Sequence, residues 1–154
     1  MKMIKVFIDS TGWYSLVQSK EPNYELAKDY FQQLLDSRAS LYTNIVEVTL
    51  AISRIKKHIG LSIATDFSRL IDQSVVSNNL HVSWASRRLH RAALKQFFSI
   101  KDTDIEIRHC MILEEVKKKK INFIFSFDDT LKIFGIPLMP QAYNAGFILS
   151  QFYK

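Results

Sequence analysis

Two stretches of the chain are apolar without alternating, and both stop on acid. Met3-Ile4-Lys5-Val6-Phe7-Ile8 is interrupted only by Lys5 and ends at Asp9, and Ile121-Asn122-Phe123-Ile124-Phe125-Ser126-Phe127 ends at Asp128 and Asp129. Short runs rich in β-branched and aromatic residues predict strands covered on both faces, as in a parallel sheet. After Asp9 the chain turns to small polar residues, and a helix is predicted over Thr11 to Val17. Between the two runs the period is helical. Glu21-Pro22-Asn23 makes a break, with Pro22 suited to a first helical turn, and Tyr24 to Leu35 then puts Leu26, Ala27, Tyr30, Phe31, Leu34 and Leu35 on one face.

The rest alternates in the same way. A short strand at Leu41-Tyr42-Thr43 leads into a helix from Ile45 to about His58, and Leu61 to Ile71 repeats apolar residues at helical spacing. A polar break precedes a strand at Leu80-His81-Val82 and a basic helix from about Trp84 to Phe98. Past the polar joint Ile100 to Asp104, a helix is predicted from about Ile105 to Lys119, with Ile112, Leu113 and Val116 inward. Gly135-Ile136-Pro137-Leu138 turns into a last short strand. The expected fold class is therefore α/β, a three-layer α/β/α sandwich around a mainly parallel sheet of about four or five strands. The apolar, aromatic tail from Tyr143 to Tyr153 is expected to pack on the domain or on another copy of it.

Composition narrows this further. With 154 residues and 47% hydrophobic content, the chain can bury one core, and a single domain over 1–154 is expected. No run approaches the length of a bilayer span and no signal peptide is supported, so a cytoplasmic protein is expected. Cys110 is the only cysteine, which excludes an internal disulfide and multi-cysteine metal sites and favours a small buried hydrophobe. A net charge of +6 suits an anionic partner such as nucleic acid. No Gly-x-Gly-x-x-Gly follows the first strand and no phosphate-binding loop is present, which argues against dinucleotide or nucleotide triphosphate binding.

The candidate chemistry lies in acids placed just past strand ends: Asp9, Glu47 and Asp128. Each has a plain structural reading. Asp9 can start a turn or cap a helix, Asn44 with Glu47 three residues on fits a capping box, and Asp128 can form a turn. Their shared position nonetheless predicts one pocket. Carboxylates that close raise one another's pKa unless a cation sits among them, and magnesium or manganese favours such oxygen ligands. One or two such ions could activate water and hold a phosphate oxygen, which makes phosphodiester cleavage the natural chemistry.

Four pieces carry a family resemblance: Val6-Phe7-Ile8-Asp9-Ser10-Thr11-Gly12-Trp13-Tyr14, Thr43-Asn44-Ile45-Val46-Glu47, Asp102-Thr103-Asp104-Ile105-Glu106-Ile107-Arg108-His109-Cys110 and Phe125-Ser126-Phe127-Asp128. Together, over about 4–138, the chain resembles a PIN domain, the fold of many VapC-type toxin ribonucleases. The resemblance implies a metal-dependent endoribonuclease with catalytic Asp9, Glu47 and Asp128. It also implies a toxin-like role, often as a homodimer restrained by an antitoxin. The third piece departs from the pattern, with Glu106 where the family typically has serine and His109 where it has aspartate. Glu106 could replace the lost carboxylate, His109 could ligate metal itself or pair with the acids and exclude it, or the site could be too weak for catalysis. The alternative to a nuclease is then a PIN module that binds RNA or a protein partner without cutting.

Candidate RNA contacts are Thr43, Asn44 and the arginine cluster Arg87, Arg88 and Arg91. Lys117 to Lys120 reads as a solvated helix end, and His58, His81 and His90 as ordinary histidines away from the acid motifs. Trp13, Tyr14 and Trp84 could stack on bases, although aromatics so placed are more often core.

Overall fold

A computed structural model describes residues 3–141, so the apolar tail from Tyr143 to Tyr153 lies outside the described residues. The order of elements is β1 (Lys5–Ile8), α1 (Ser10–Val17), α2 (Tyr24–Asp36), β2 (Ser40–Asn44), α3 (Ile45–His58), α4 (Leu61–Val76), β3 (His81–Ser83), α5 (Arg87–Ser99), α6 (Ile107–Lys119), β4 (Phe123–Phe125), a 3-10 helix at Asp129–Phe134 and β5 (Leu138–Met139). The strands form one sheet in the order β3-β2-β1-β4-β5, with every pairing parallel. In register, Phe7 of β1 stands between Tyr42 of β2 and Ile124 of β4.

Strand alternation explains why β1 and β4 are apolar throughout. Successive side chains point to opposite faces, so a strand with helices on both sides needs apolar residues at every position. Val6, Ile8, Phe123 and Phe125 pack on one face with Tyr30 and Leu34 of α2, Val48 and Ala51 of α3, and Phe67 of α4. Phe7 and Ile124 pack on the other with Ile112 and Val116 of α6. Cys110 is buried where α5 meets α6, beside Ala93 and Met111.

Several boundaries differ from the sequence expectation, each for a local reason. The ladder of β4 covers Phe123–Phe125 only, because Ser126 and the residues after it turn toward Asp9. Helix α4 runs on to Val76, since its last turn is largely exposed and carries no burial pattern to read. Helix α5 starts at Arg87 rather than Trp84, where the Ser86 hydroxyl accepts from the Leu89 amide at 3.1 Å. Helix α6 starts at Ile107 because Ile105 is drawn into the core and Glu106 becomes the cap. The 3-10 helix was not anticipated; it ends at Gly135 with φ +71°, and the last strand begins three residues later at Leu138.

The crossing of α1 over β4 leaves no room for a side chain at Gly12. A Cβ there would lie 2.6 Å from the Phe125 carbonyl oxygen and 3.1 Å from a methyl of Ile8. Gly12→Ala is therefore expected to destabilise the fold by about 1–3 kcal/mol, despite alanine's better helix propensity. A urea melt checks this, and an unchanged midpoint would mean that α1 does not sit this close to the sheet.

Candidate active site

In this strand order the chain proceeds from β1 outward through β2 and β3, then returns to the other side of β1 for β4 and β5. The reversal leaves a crevice between β1 and β4 at the carboxyl ends of the strands, where open α/β sheets bind ligands. Asp9 follows β1, Asn44 and Glu47 follow β2, and Asp128 follows β4. The acids distant in sequence meet there.

Asp9 is fully buried. Its Oδ1 accepts from the Gly12 amide at 2.9 Å, capping α1, and from the Thr11 hydroxyl at 2.7 Å; its Oδ2 accepts from the Ser126 hydroxyl at 2.5 Å. The helix-cap reading and the site reading are thus both true of one side chain. Burial, and then the charge of Glu47, push the Asp9 carboxyl up to about 6, against the pull of those three hydrogen bonds. Ser126 ties the crevice together, since its hydroxyl also accepts from the Asp128 amide at 2.9 Å.

Glu47 is also fully buried, and only half of the expected capping box forms. Asn44 Oδ1 does accept from the Glu47 amide at 2.8 Å, but the Glu47 carboxylate turns to the crevice instead of back to Asn44. There Oε1 accepts from the Ser10 amide at 3.1 Å, tying the start of α1 to α3. Its other oxygen, Oε2, is buried with no hydrogen-bond partner. Asp128 caps the 3-10 helix through the Thr130 amide at 3.0 Å and is held well below the usual carboxylate range, chiefly by its hydrogen bond from His109.

What the sequence reading missed is Arg108. Its guanidinium enters the acid cluster and bonds Glu47 Oε1 at 3.1 Å, Asp128 Oδ2 at 3.2 Å and Glu106 Oε2 at 3.4 Å. Burial opposes its charge, but Glu47, Glu106, Asp128 and Asp9 outweigh that and raise its pKa. Arg108 stands inside the quoted third piece, one position from His109. No periodicity marks it, because its partners come from three other segments.

Comparison with protein-family models found none that matches the chain, and no curated protein matches it. Among solved structures, VapC20 of Mycobacterium tuberculosis, described as a sarcin–ricin loop cleaving toxin, superposes with a TM-score of 0.73 at 16% identity. The match covers 85% of this chain and 95% of that one. The fold is PIN-like. At this identity the likeness is one of fold, and the chemistry has to be argued from the side chains of this chain.

The departures in the third piece of this PIN-like chain have a definite geometry. His109 is buried and its Nδ1 accepts the Glu106 backbone N–H at 2.9 Å. It thereby takes the N3 role that Glu or Gln plays in a capping box. A nitrogen that accepts carries no proton, so the remaining proton is on Nε2, which donates to Asp128 Oδ2 at 2.8 Å. Both ring nitrogens are engaged, leaving no lone pair for a metal. Glu106 does not reach in to replace the missing carboxylate: its side chain is 63% exposed and meets Arg108 at the rim.

The pocket has the hard oxygen donors that magnesium or manganese prefers, and the unpartnered Glu47 Oε2 is an acceptor with capacity to spare. As the side chains stand, however, the set does not fit such an ion. The cation among the acids is Arg108, and among the described residues no three His, Cys, Asp or Glu side chains are grouped to hold a metal.

The candidate RNA contacts divide sharply. Thr43 is buried, donating to the Ile8 carbonyl at 2.7 Å and accepting from Trp13 Nε1 at 3.1 Å, so it locks β2 to β1. Asn44 is buried as a cap, with its amide nitrogen 3.4 Å from Glu115. That Glu115, a buried acid of α6, also accepts from the Ser83 hydroxyl, and burial raises its pKa. Neither Thr43 nor Asn44 presents a free polar group. Arg87, Arg88 and Arg91 are all exposed on α5, as is Trp84 just before it, while Trp13 is core.

Proposed function

We propose that the protein is a PIN-type ribonuclease of toxin class that hydrolyses RNA phosphodiesters in the pocket of Asp9, Glu47 and Asp128. The observation that carries this reading is the meeting of three acids from separate strand ends at the topological switch point of a PIN-like sheet. The net charge of +6 and the exposed arginines of α5 support an RNA substrate. Buried in low dielectric, Asp9 and Glu47 are placed to hold positive charge or to take a proton beside a phosphate. Magnesium or manganese suits this donor chemistry only once Arg108 has left the cluster. An antitoxin and a homodimer belong to the same proposal, as does a cytoplasmic location. Among the described residues no helix is long and apolar enough to cross a membrane.

Incubation with a structured RNA in manganese, beside Asp9→Asn, tests the reading. Cleavage is expected to fall at least about 100-fold in the variant, the scale on which removal of one charge-stabilising group acts. Equal cleavage by both proteins would expose a contaminant. A second reading, an RNA- or protein-binding PIN module that does not cut, is favoured by the guanidinium seated among the acids. Absence of cleavage in either protein, with retained RNA binding, selects it.

A further inference from the structure

We propose that Arg108 is a built-in latch: its guanidinium closes the acid pocket to divalent cations when seated and opens it by swinging into a cavity beside α3. The inference rests on the reading of Asp9, Glu47 and Asp128 as a cation-seeking cluster.

The seated position is well defined. Arg108 bonds Glu47 and Asp128 from the side, with only 13% of its side chain exposed, and so satisfies two acids that no other described cation neutralises. A divalent ion and a guanidinium cannot share that place, since like charges a few ångströms apart in a poorly solvated pocket repel by several times their energy in water. Occupancy by one therefore excludes the other. The pocket is also incompletely satisfied by Arg108, because Glu47 Oε2 stays buried and unpartnered.

A second position is available next door. A cavity of about 410 Å³ lies against Arg108, walled by Thr49, Leu50, Ser53 and Arg54 of α3 and by Glu106. Glu106 already reaches the Arg108 Nε at 3.4 Å from the solvent side. Rotation about the outer bonds of the arginine moves its charged end from Glu47 and Asp128 into the cavity while Glu106 keeps hold of it. The departure of Glu106 from the family's serine then has a physical use, as the outer anchor of the latch. His109 stays in place in both positions, fixed by the Glu106 backbone, and keeps Asp128 oriented.

An equilibrium between a closed and an open site lowers apparent affinity for the ion by the open fraction. Removing the latch should restore it. Manganese binding, read by electron paramagnetic resonance of the free ion, is expected to be at least about tenfold tighter in Arg108→Ala than in the unaltered protein, within the usual range of such couplings. Arg108→Gln, which keeps bulk and hydrogen bonding without charge, should tighten binding in the same direction and guards against a folding defect in the alanine variant. In both variants manganese should raise the melting temperature more than it does in the unaltered protein. Equal manganese affinity in all three proteins overturns the latch whatever the RNA assay shows. Tight manganese binding by the variants without RNA cleavage leaves the latch standing and removes the nuclease reading instead.

Discussion

Replacing Arg108 by alanine is expected to destabilise the protein by about 3 kcal/mol or more at pH 7. That is the scale on which removal of one partner from a buried ion pair acts, because the other partner remains buried and unpaired. Here the unpaired groups are Glu47, fully buried, and Asp128, largely so. The penalty should shrink in Arg108→Ala/Glu47→Gln, where the deepest of the stranded charges has gone, and the difference between the single and double variants reports their coupling. Urea melts of the four proteins of the cycle check it. Purely additive losses would show that Arg108 and Glu47 do not interact, and the site geometry would have to be redrawn.

Asp9→Asn should do the opposite, raising stability at neutral pH while abolishing any activity. The folded state holds the Asp9 proton up to about 6, whereas an unfolded aspartate lets go near 3.8. Between those values the folded protein binds more protons than the unfolded one, so this group's contribution to stability falls as pH rises through the window. Above about pH 6 the full deficit is present, on the order of 3 kcal/mol for a shift of this size. Asparagine carries no such charge, and its carbonyl can still cap Gly12. The gain of the variant over the unaltered protein should therefore be largest at pH 7 to 8 and disappear by about pH 4. Asp128 has the reverse sign: its lowered pKa adds stability that is lost as the pH drops through and below the ordinary carboxylate range. Thermal melts from pH 3 to 8 separate the two, and a variant gain that does not change with pH would place Asp9 in a better solvated position than its burial implies.

An acid cluster that is unfavourable for stability yet retained on three different segments is what function-bearing sites display. Arg108 then reads as the side chain that makes the cluster tolerable in the closed state. The same side chain limits what else can bind there.

How far each element could be read in the chain follows from where its cause lies. β1 and β4 were legible because a strand covered on both faces must be apolar at every step, and the run lengths of Val6 to Ile8 and Phe123 to Phe125 say so locally. The convergence of Asp9, Glu47 and Asp128 was legible because strand ends of a parallel sheet all face one way. The half-formed capping box at Asn44 was not, since the direction in which Glu47 turns depends on Ser10 and Arg108, both distant in sequence. Thr43 is the same case. Its hydroxyl is consumed by Ile8 and Trp13, partners that only the pairing of β1 with β2 brings into range.

By itself, then, the sequence determined an α/β fold with a parallel sheet and three acids at its carboxyl edge, because periodicity and strand direction are properties of short segments. Tertiary structure alone decided which cation the acids meet. Arg108 arrives from the first turn of α6, set by the packing of that helix on α5 and on the sheet, and a guanidinium's choice among carboxylates depends on distances of a few ångströms. Distances that small between segments so far apart in the chain are written in no local pattern.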